Sequence, residues 1–404
     1  MNLPQYISKI TYHGQGRNFS TFVSRIAIGS VALSIAAIIV SYSILKGFQK
    51  EIREKLFSFG SHLIITKYDL NESYESSPVN TLSKFYYIKD FKHIEHVQRF
   101  AYKAALFKTE NEVNGVLLKG VDKNFYTKKF NKNLLRGIMP LYNDTSESKL
   151  IVISQRLSER LLLDTGSSVL VYFIQNPPRY RQLKVAGIYE TGLDELDDSY
   201  VISDLRMLQK VNNWPDSLAG GFELYVKNFN NLKEAENEAF ERMDYDLKIS
   251  NIKDKFVHIF DWIHLLDNNV LIFSIIILFV AGFNMVSTLF VLIMERTNMI
   301  GMLKAMGASN GLIRQIFVLR GLKLVGKGLL IGNVVGLFIC WIQYQFHLIP
   351  LDPSSYYMNH VPIKWEWLSY LVVNLVLIAI LFLVLFIPAI VISSMRPVKA
   401  IRFD

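Results

Sequence analysis

Four carboxylates, Asp194, Glu195, Asp197 and Asp198, fall within five consecutive residues. Carboxylates this dense could act as a general acid and base or as oxygen ligands for Ca²⁺. His93 and His96 are three apart. No acid or Cys completes a ligand set around them, and the pair reads as one solvated face of a helix. Gly321, Gly326, Lys327 and Gly328 give the spacing G-x4-G-K. A nucleotide loop needs Ser or Thr after that Lys to hold Mg²⁺, and a strand before its first Gly. Here Gly follows the Lys, no strand pattern precedes Gly321, and the run passes directly into an apolar stretch. Lys323 and Lys327 read instead as charges at a membrane interface. The single cysteine, Cys340, excludes a disulfide framework and a Cys-based metal site, and no Ser-His-Asp or G-x-S-x-G arrangement appears. The expectation is a chain with no metal site and no catalytic residues, not an enzyme.

The elements that would have to position any such residues are largely apolar. Of 404 residues, 51% are hydrophobic and 20% charged, and the mean hydropathy is +0.23, which is high for a soluble chain of this length. Ile26–Leu45, Asn268–Met294, Gly328–Leu351 and Trp367–Met395 contain no Asp, Glu, Lys or Arg over 20, 27, 24 and 29 residues. As helices, each can cross a hydrocarbon core about 30 Å thick. Segments 1–25, 295–327 and 396–404 together hold 12 basic residues against 2 acidic ones, whereas 46–267 holds 31 of each and 352–366 one basic and two acidic. By the positive-inside rule, both termini and the 295–327 loop are expected in the cytoplasm, with 46–267 on the far side. The net charge of +9 therefore reports topology and implies no nucleic-acid partner. The first stretch is longer than a signal-peptide core and no small-residue cleavage pattern follows it, so it is read as a retained anchor.

Helical and strand periods fill in the rest. Phe48, Ile52 and Leu56 continue one face of the first span, predicting a rod from Ile26 to Phe59 of roughly 50 Å. Ile252, Phe256, Ile259, Ile263 and Leu266 step by 4, 3, 4 and 3, the spacing of a packed seam and a second rod. Such stalks could carry movement from the membrane, or could simply pack the base of the domain. Strand patterns occur at His62–Thr66, Gly115–Lys119, Leu150–Ile153, Val169–Phe173, Leu183–Tyr189 and Phe222–Val226, and helix patterns at Ser154–Leu163, Asp204–Val211 and Asn231–Met243. The stretch Asn71–Thr81 reads as an exposed loop. In the first span, Ser30, Ser34, Ala37 and Ser41 line one face and Ile28, Ile35 and Ile39 another; either could meet a partner helix or an apolar ligand. In the 295–327 loop, Met299, Ile300, Leu303 and Met306 share a face, with Arg296 and Lys304 near the other side. Gly307 suits a helix C′ position and Ser309 the next N-cap. This amphipathic helix either lies on the membrane or inserts into a partner's groove. The fold class is therefore membrane α-helical, with four transmembrane helices in a 1+3 arrangement and a large α+β domain, mostly antiparallel, inserted between helices 1 and 2.

ERTNMIGMLKAMGAS resembles the E-[RK]-T-x-x-I-G-x-L-K-A-x-G-A-S signature of LolC/LolE-type ABC permeases, within the wider MacB/FtsX-like superfamily. GFQKEIREKLFSFGSHLIIT, LDPSSYYMNHVPI and RPVKAIRFD are similar to that family's segments after the first span, before the fourth and at the C-terminus; GVDKNFY and VAGIYETGLDELDDSYV match more weakly. The last of these reads the acidic cluster as a structural turn.

The resemblance implies a lipoprotein-releasing permease of a bacterial inner membrane with a periplasmic domain. Its domains are 1–25 cytoplasmic, 26–45 first span, 46–267 periplasmic domain with stalks, 268–294 second span, 295–327 coupling loop, 328–351 third span, 352–366 periplasmic loop, 367–395 fourth span and 396–404 cytoplasmic. Implied partners are an ABC ATPase dimer, a second permease copy or paralogue, the lipoprotein substrate, membrane lipid and a periplasmic lipoprotein carrier. ATP and Mg²⁺ are implied on the partner ATPase and no cofactor on this chain. Coupling to the ATPase falls on Glu295, Arg296, Met299, Ile300, Leu303, Lys304, Met306, Gly307, Ala308 and Ser309. A substrate cavity is expected at Ile35, Ile39, Tyr42, Phe48, Ile52, Ile263 and Ile276. Carrier contact is expected at Pro177, Pro178, Arg179 and Tyr180. The family's carrier-recruiting permease has a protruding hairpin hook there, whereas the link Gln175–Tyr180 is about six residues. That departure implies the hookless partner of a heterodimer, or a homodimer that recruits differently. A MacB-like efflux permease and an FtsX-like regulator of a periplasmic hydrolase are the alternatives.

Overall fold

A computed structural model describes residues 19–69, 73–82, 91–109, 112–143 and 145–393. Met1–Asn18 and the tail motif RPVKAIRFD lie outside the described residues, as do Asn71 and Glu72 of the expected loop. The described chain forms two compact units: Glu51–Asp261 with Leu351–Asn359, and the remaining residues.

The second of these is helical. Helices Phe19–Phe59, Val257–Met294, Asn310–Phe346 and Trp367–Ser393 are each long and apolar enough to cross a membrane; below they are the first to fourth helices. One precedes the sheet in chain order and three follow it. The first is unbroken over 41 residues, as the Phe48, Ile52, Leu56 spacing predicts. The second rod is different. A short helix Ile252–Lys255, opened by a capping box between Asn251 and Asp254, stops at Phe256, whose φ of −117° and ψ of 48° are not helical. The seam residues Ile252, Phe256, Ile259 and Ile263 are nonetheless buried, and Leu266 is half-buried. Burial of the stripe survives a break in the backbone because the Phe256 side chain stays on the packed side.

The sheet unit is built from β1 Leu63–Lys67, β2 Val79–Asn80, β3 Ile94–Lys108, β4 Val113–Val121, β5 Leu134–Gly137, β6 Leu150–Ser154, β7 Ser168–Phe173, β8 Arg179–Tyr189, β9 Tyr200–Asp204, β10 Leu218–Ala219, β11 Gly221–Val226 and β12 Leu247–Asn251. Ten strands run in the order β12-β1-β11-β3-β4-β9-β6-β8-β5, with β7 bridging β3 and β8; β10 pairs with β2. The pairings β3-β4-β9-β6-β8-β7 thus return to β3 and enclose a core that includes Phe107, Leu118, Ile153, Val171 and Val185. A second core, beneath the helix Leu232–Phe240, holds Leu63, Ile65, Phe222, Leu224 and Ala235. β4 with β9 and β6 with β8 are parallel, and the other pairs antiparallel.

Each predicted strand is present. Six others, β2, β3, β5, β9, β10 and β12, are additions; β2, with Val79 buried, corrects the end of the expected exposed loop, and β3, with 15 residues, is the longest strand of the sheet. It corrects the reading of His93 and His96. His96 lies on β3 rather than on a helix, with its Nε2 2.6 Å from the Asn124 carbonyl. Ser154 and Asp204 cap the helices Gln155–Leu161 and Leu205–Asn212 through bonds from the Leu157 and Arg206 amides. Asn231–Met243 shortens to Leu232–Phe240.

His62 lies just before β1 and is buried, and its Nδ1 accepts from the Val226 amide at 3.0 Å. Burial, aided by Lys129, lowers its pKa from 6.5 to about 3. The unfolded chain therefore binds a proton that the folded chain refuses as pH falls from 6.5 towards 3, and stability falls across that window. Thermal unfolding of the full chain should show this acid-side loss, and His62→Gln should flatten it. An unchanged slope in that variant assigns the loss to other groups.

Candidate functional site

The loop between the second and third helices folds as a helix, Thr297–Ala305, followed by a tight turn. Its turn is set by local chemistry. Gly307 has φ of +89°, its amide donates to Lys304 and the Ala308 amide donates to Leu303 at 2.9 Å, which together make a Schellman motif. Ser309 then caps the third helix by accepting from the Leu312 amide at 3.3 Å. Beneath the turn Ile300, 0% exposed, packs with Ile293, Ile313 and Phe317, and Met299 and Ala308 lean on the same cluster. Ile300 is thus a buried support and no surface anchor, which corrects its assignment to a docking face. Leu303, Lys304 and Arg296 are half-buried, and Glu295 and Ser309 exposed. The apolar side chains that face outward are Met302, 57% exposed, and Met306, 76% exposed. Met302 carries a helical stripe that the Met299-Ile300-Leu303 reading passed over.

The expected cavity residues do not share one surface. Ile35 and Ile39 are fully buried and pack on glycines of the third helix. A Cβ at Gly332 would lie 2.6 Å from the Ala32 carbonyl oxygen and 2.7 Å from Ile35, and one at Gly336 3.0 Å from Ala36. Gly328 abuts Val31, and Gly321 abuts Leu385 on the fourth helix. Large residues of one helix therefore fill glycine gaps of another, the close approach that small residues permit in lipid. This corrects the placement of Ile35 and Ile39 on a cavity wall, and puts the G-x4-G-K spacing inside a continuous helix, with Gly321 and Gly328 packed and Gly326 in open space. Polar side chains join the same bundle: Asn284 donates to Ser30 at 2.8 Å, Asn333 and Asn374 exchange amide bonds at 2.8 and 2.9 Å, and Ser43 meets Tyr370 at 2.9 Å. Tyr42 donates to Ser369 at 3.3 Å, and Phe48 meets Trp262 edge-on. Ile52 and Ile263 are buried. Only Ile276 of the expected set is exposed, together with Leu33, Phe279 and Phe283.

The motif residues outside the bundle have structural partners. A Cβ on Gly47 would lie 2.3 Å from the Pro362 carbonyl oxygen, so the GFQ and HVPI segments meet there. Within the sheet unit, Lys55 donates to the Tyr357 carbonyl at 2.5 Å and lies against Gly192. The Asp197 carboxylate accepts from the Thr191 amide and hydroxyl and from the Gly192 amide; burial still holds its pKa above the usual range. Asp194 and Asp198 pair with Arg156, and Asp198 also with Arg160. The cluster is a braced turn, and no group of three or more metal-ligating side chains occurs among the described residues. Between β7 and β8, Pro177 and Pro178 are exposed and Tyr180 is 66% exposed. Arg179 instead donates to the Lys210 and Val211 carbonyls at 2.7 and 2.8 Å, closing the end of the helix Leu205–Asn212.

Residues 24–239 match the family model of the MacB-like periplasmic core domain, and residues 271–397 that of the FtsX-like permease C-terminal region. LolC of Xylella fastidiosa, a lipoprotein-releasing system transmembrane protein, is 22% identical over 417 residues, spanning 96% of this chain and 95% of its own. LolE of Haemophilus influenzae is 22% identical over 429 residues and spans 99% of both. The chain belongs to the permeases with a MacB-like periplasmic core, and is of the LolC/LolE type. Among solved structures, the periplasmic region of MacB from Actinobacillus actinomycetemcomitans is similar at 14% identity with a TM-score of 0.37, covering 51% of this chain and 95% of that one. In this LolC/LolE-type permease the glycine stripe was legible as Gly328, Gly332 and Gly336 at four-residue spacing in an apolar run.

Proposed function

We propose that this permease is the membrane subunit of an ABC transporter that extracts lipoproteins from the inner membrane and passes them to a periplasmic carrier. The observation that carries the reading is similarity to lipoprotein-releasing LolC and LolE proteins over nearly the whole of both chains. The spans take the 1+3 arrangement, with both termini and the 295–327 loop cytoplasmic and the MacB-like core periplasmic; the 12 to 2 basic excess over 1–25, 295–327 and 396–404 supports this. The chain itself binds no cofactor. ATP and Mg²⁺ are held by a separate ATPase dimer, and a second permease, copy or paralogue, completes the membrane part.

Moving acyl chains is the physical problem. Each buried CH₂ holds a lipid anchor by about 0.8 kcal/mol, so extraction needs an apolar route and outside work. Met302 and Met306 dock in a groove of the ATPase, and the Ile300 cluster makes the turn stiff enough to pass on its movement. The first helix, continuous from Phe19 to Phe59, carries that movement towards the sheet unit. Co-purification from nanodiscs tests the reading. ATPase together with lipoprotein is the expected result; ATPase with an outer-membrane channel, or with a periplasmic hydrolase, would replace it. Met302→Asp with Met306→Asp should leave insertion intact and reduce ATPase recovery about tenfold or more, because charges enter an apolar contact.

A further inference from the structure

A cleft of about 440 Å³ opens between Arg53, at the sheet-unit end of the first helix, and the start of the helix Leu232–Phe240. Three basic side chains line it, Arg53, Lys233 and Lys253, against one acidic side chain, Glu236. Two of the cations converge on one ring: the Arg53 guanidinium lies 5.1 Å and the Lys253 ammonium 5.4 Å from the centre of Phe229. Among the described residues neither Lys233 nor Lys253 forms an ion pair, so cations gathered this closely raise the local potential for an anion. The helix beside them adds to it. Asn231 at its cap makes no side-chain hydrogen bond, and Leu232 and Lys233, its first two residues, line the cleft. The Leu232 amide itself donates to the Phe229 carbonyl, so the helix contributes the positive end of its dipole rather than an open first amide.

We propose that this cleft binds a phosphate group, supplied either by the headgroup of an anionic membrane lipid or by free phosphate. The Arg53 guanidinium and the Lys253 ammonium, both held against the ring of Phe229, supply the positive charge that a phosphate needs. The inference does not depend on what the permease transports.

The test uses the full chain in nanodiscs of phosphatidylcholine with or without phosphatidylglycerol, with a photoreactive phenylalanine replacing the exposed Asn230. Phosphatidylglycerol should be captured, and Arg53→Gln with Lys253→Gln should reduce capture about tenfold, while Lys248→Gln, on β12, should leave it unchanged. Capture that persists in millimolar inorganic phosphate identifies the lipid as the source. Capture displaced by phosphate, with broadening of the ³¹P resonance of inorganic phosphate that the double variant removes, identifies the free ion. Capture equal in wild type and double variant, or no capture and no broadening, overturns the proposal.

Discussion

Lys119→Ala is expected to cost the sheet unit about 3 to 5 kcal/mol, the usual penalty for stranding one partner of a buried ion pair. Lys119 on β4 and Glu223 on β11 are both 0% exposed, and their charged atoms are 2.7 Å apart across the intervening β3. Each side chain has one further partner. Lys119 donates to the carbonyl of Phe59, the last residue of the first helix, at 2.9 Å and sits 5.0 Å from the centre of its ring. Glu223 accepts from Gln98 on β3 at 2.6 Å. One pair therefore ties three strands to the end of the helix. Removing the ammonium leaves the Glu223 carboxylate without its contact partner in a dry site, with only Lys255 acting on it through space, whereas Lys119→Met with Glu223→Leu removes both charges and should recover most of the loss. Hydrogen exchange of the full chain reads it: β4 and β11 should open far more readily in Lys119→Ala and regain protection in the double variant. Equal protection in Lys119→Ala and wild type would show that the pair holds nothing.

Gly332→Leu should prevent the third helix from packing on the first, and Gly326→Leu should not. At Gly332 even a Cβ meets the Ala32 carbonyl and Ile35 below 3 Å, and at Gly326 nothing lies within 4 Å. Overpacking a tight contact costs about 1 to 3 kcal/mol where side chains can yield. Here one of the contacts is backbone, which cannot move without separating the helices, so the loss should exceed that range. Melting of the purified permease in detergent should fall sharply for Gly332→Leu and stay near wild type for Gly326→Leu. A nucleotide loop would give the opposite ranking, with Gly326 and Lys327 the sensitive pair.

These two sites also mark what could be read from the residues. Apolar helices announce themselves by length without charge, and the caps Ser154, Asp204, Gly307 and Ser309 by residue type, because both signals are local. β1, β6, β7 and β11 are legible because their inward residues are mostly Val, Ile, Leu and Phe. β3 is not. Its buried positions include Gln98 and Lys103 beside Ala101 and Ala105, a composition that reads as helix until Glu223 of β11 and Glu75 supply the polar partners. The Lys119–Glu223 pair is hidden for the same reason, since no local pattern links residues 104 apart. On the coupling turn the period finds a stripe, but which part of it is covered depends on Ile313 and Phe317 of the next helix. The period alone therefore points Ile300 outward and passes over Met302. Ile35 and Ile39 follow the same logic, because an oily face fits a cavity or a glycine groove equally well until the groove is seen.

ATP-driven release of an acylated lipoprotein from proteoliposomes to a soluble acceptor tests the central claim most directly. The permease, the ATPase that co-purifies with it and its partner permease are reconstituted, and lipoprotein in the soluble fraction is followed with time. Release should require ATP, and should fall about tenfold or more in Met306→Asp while the variant inserts normally and Gly326→Leu releases as wild type does. Full release by Met306→Asp, or no ATP-dependent release by the wild-type complex, would contradict the account.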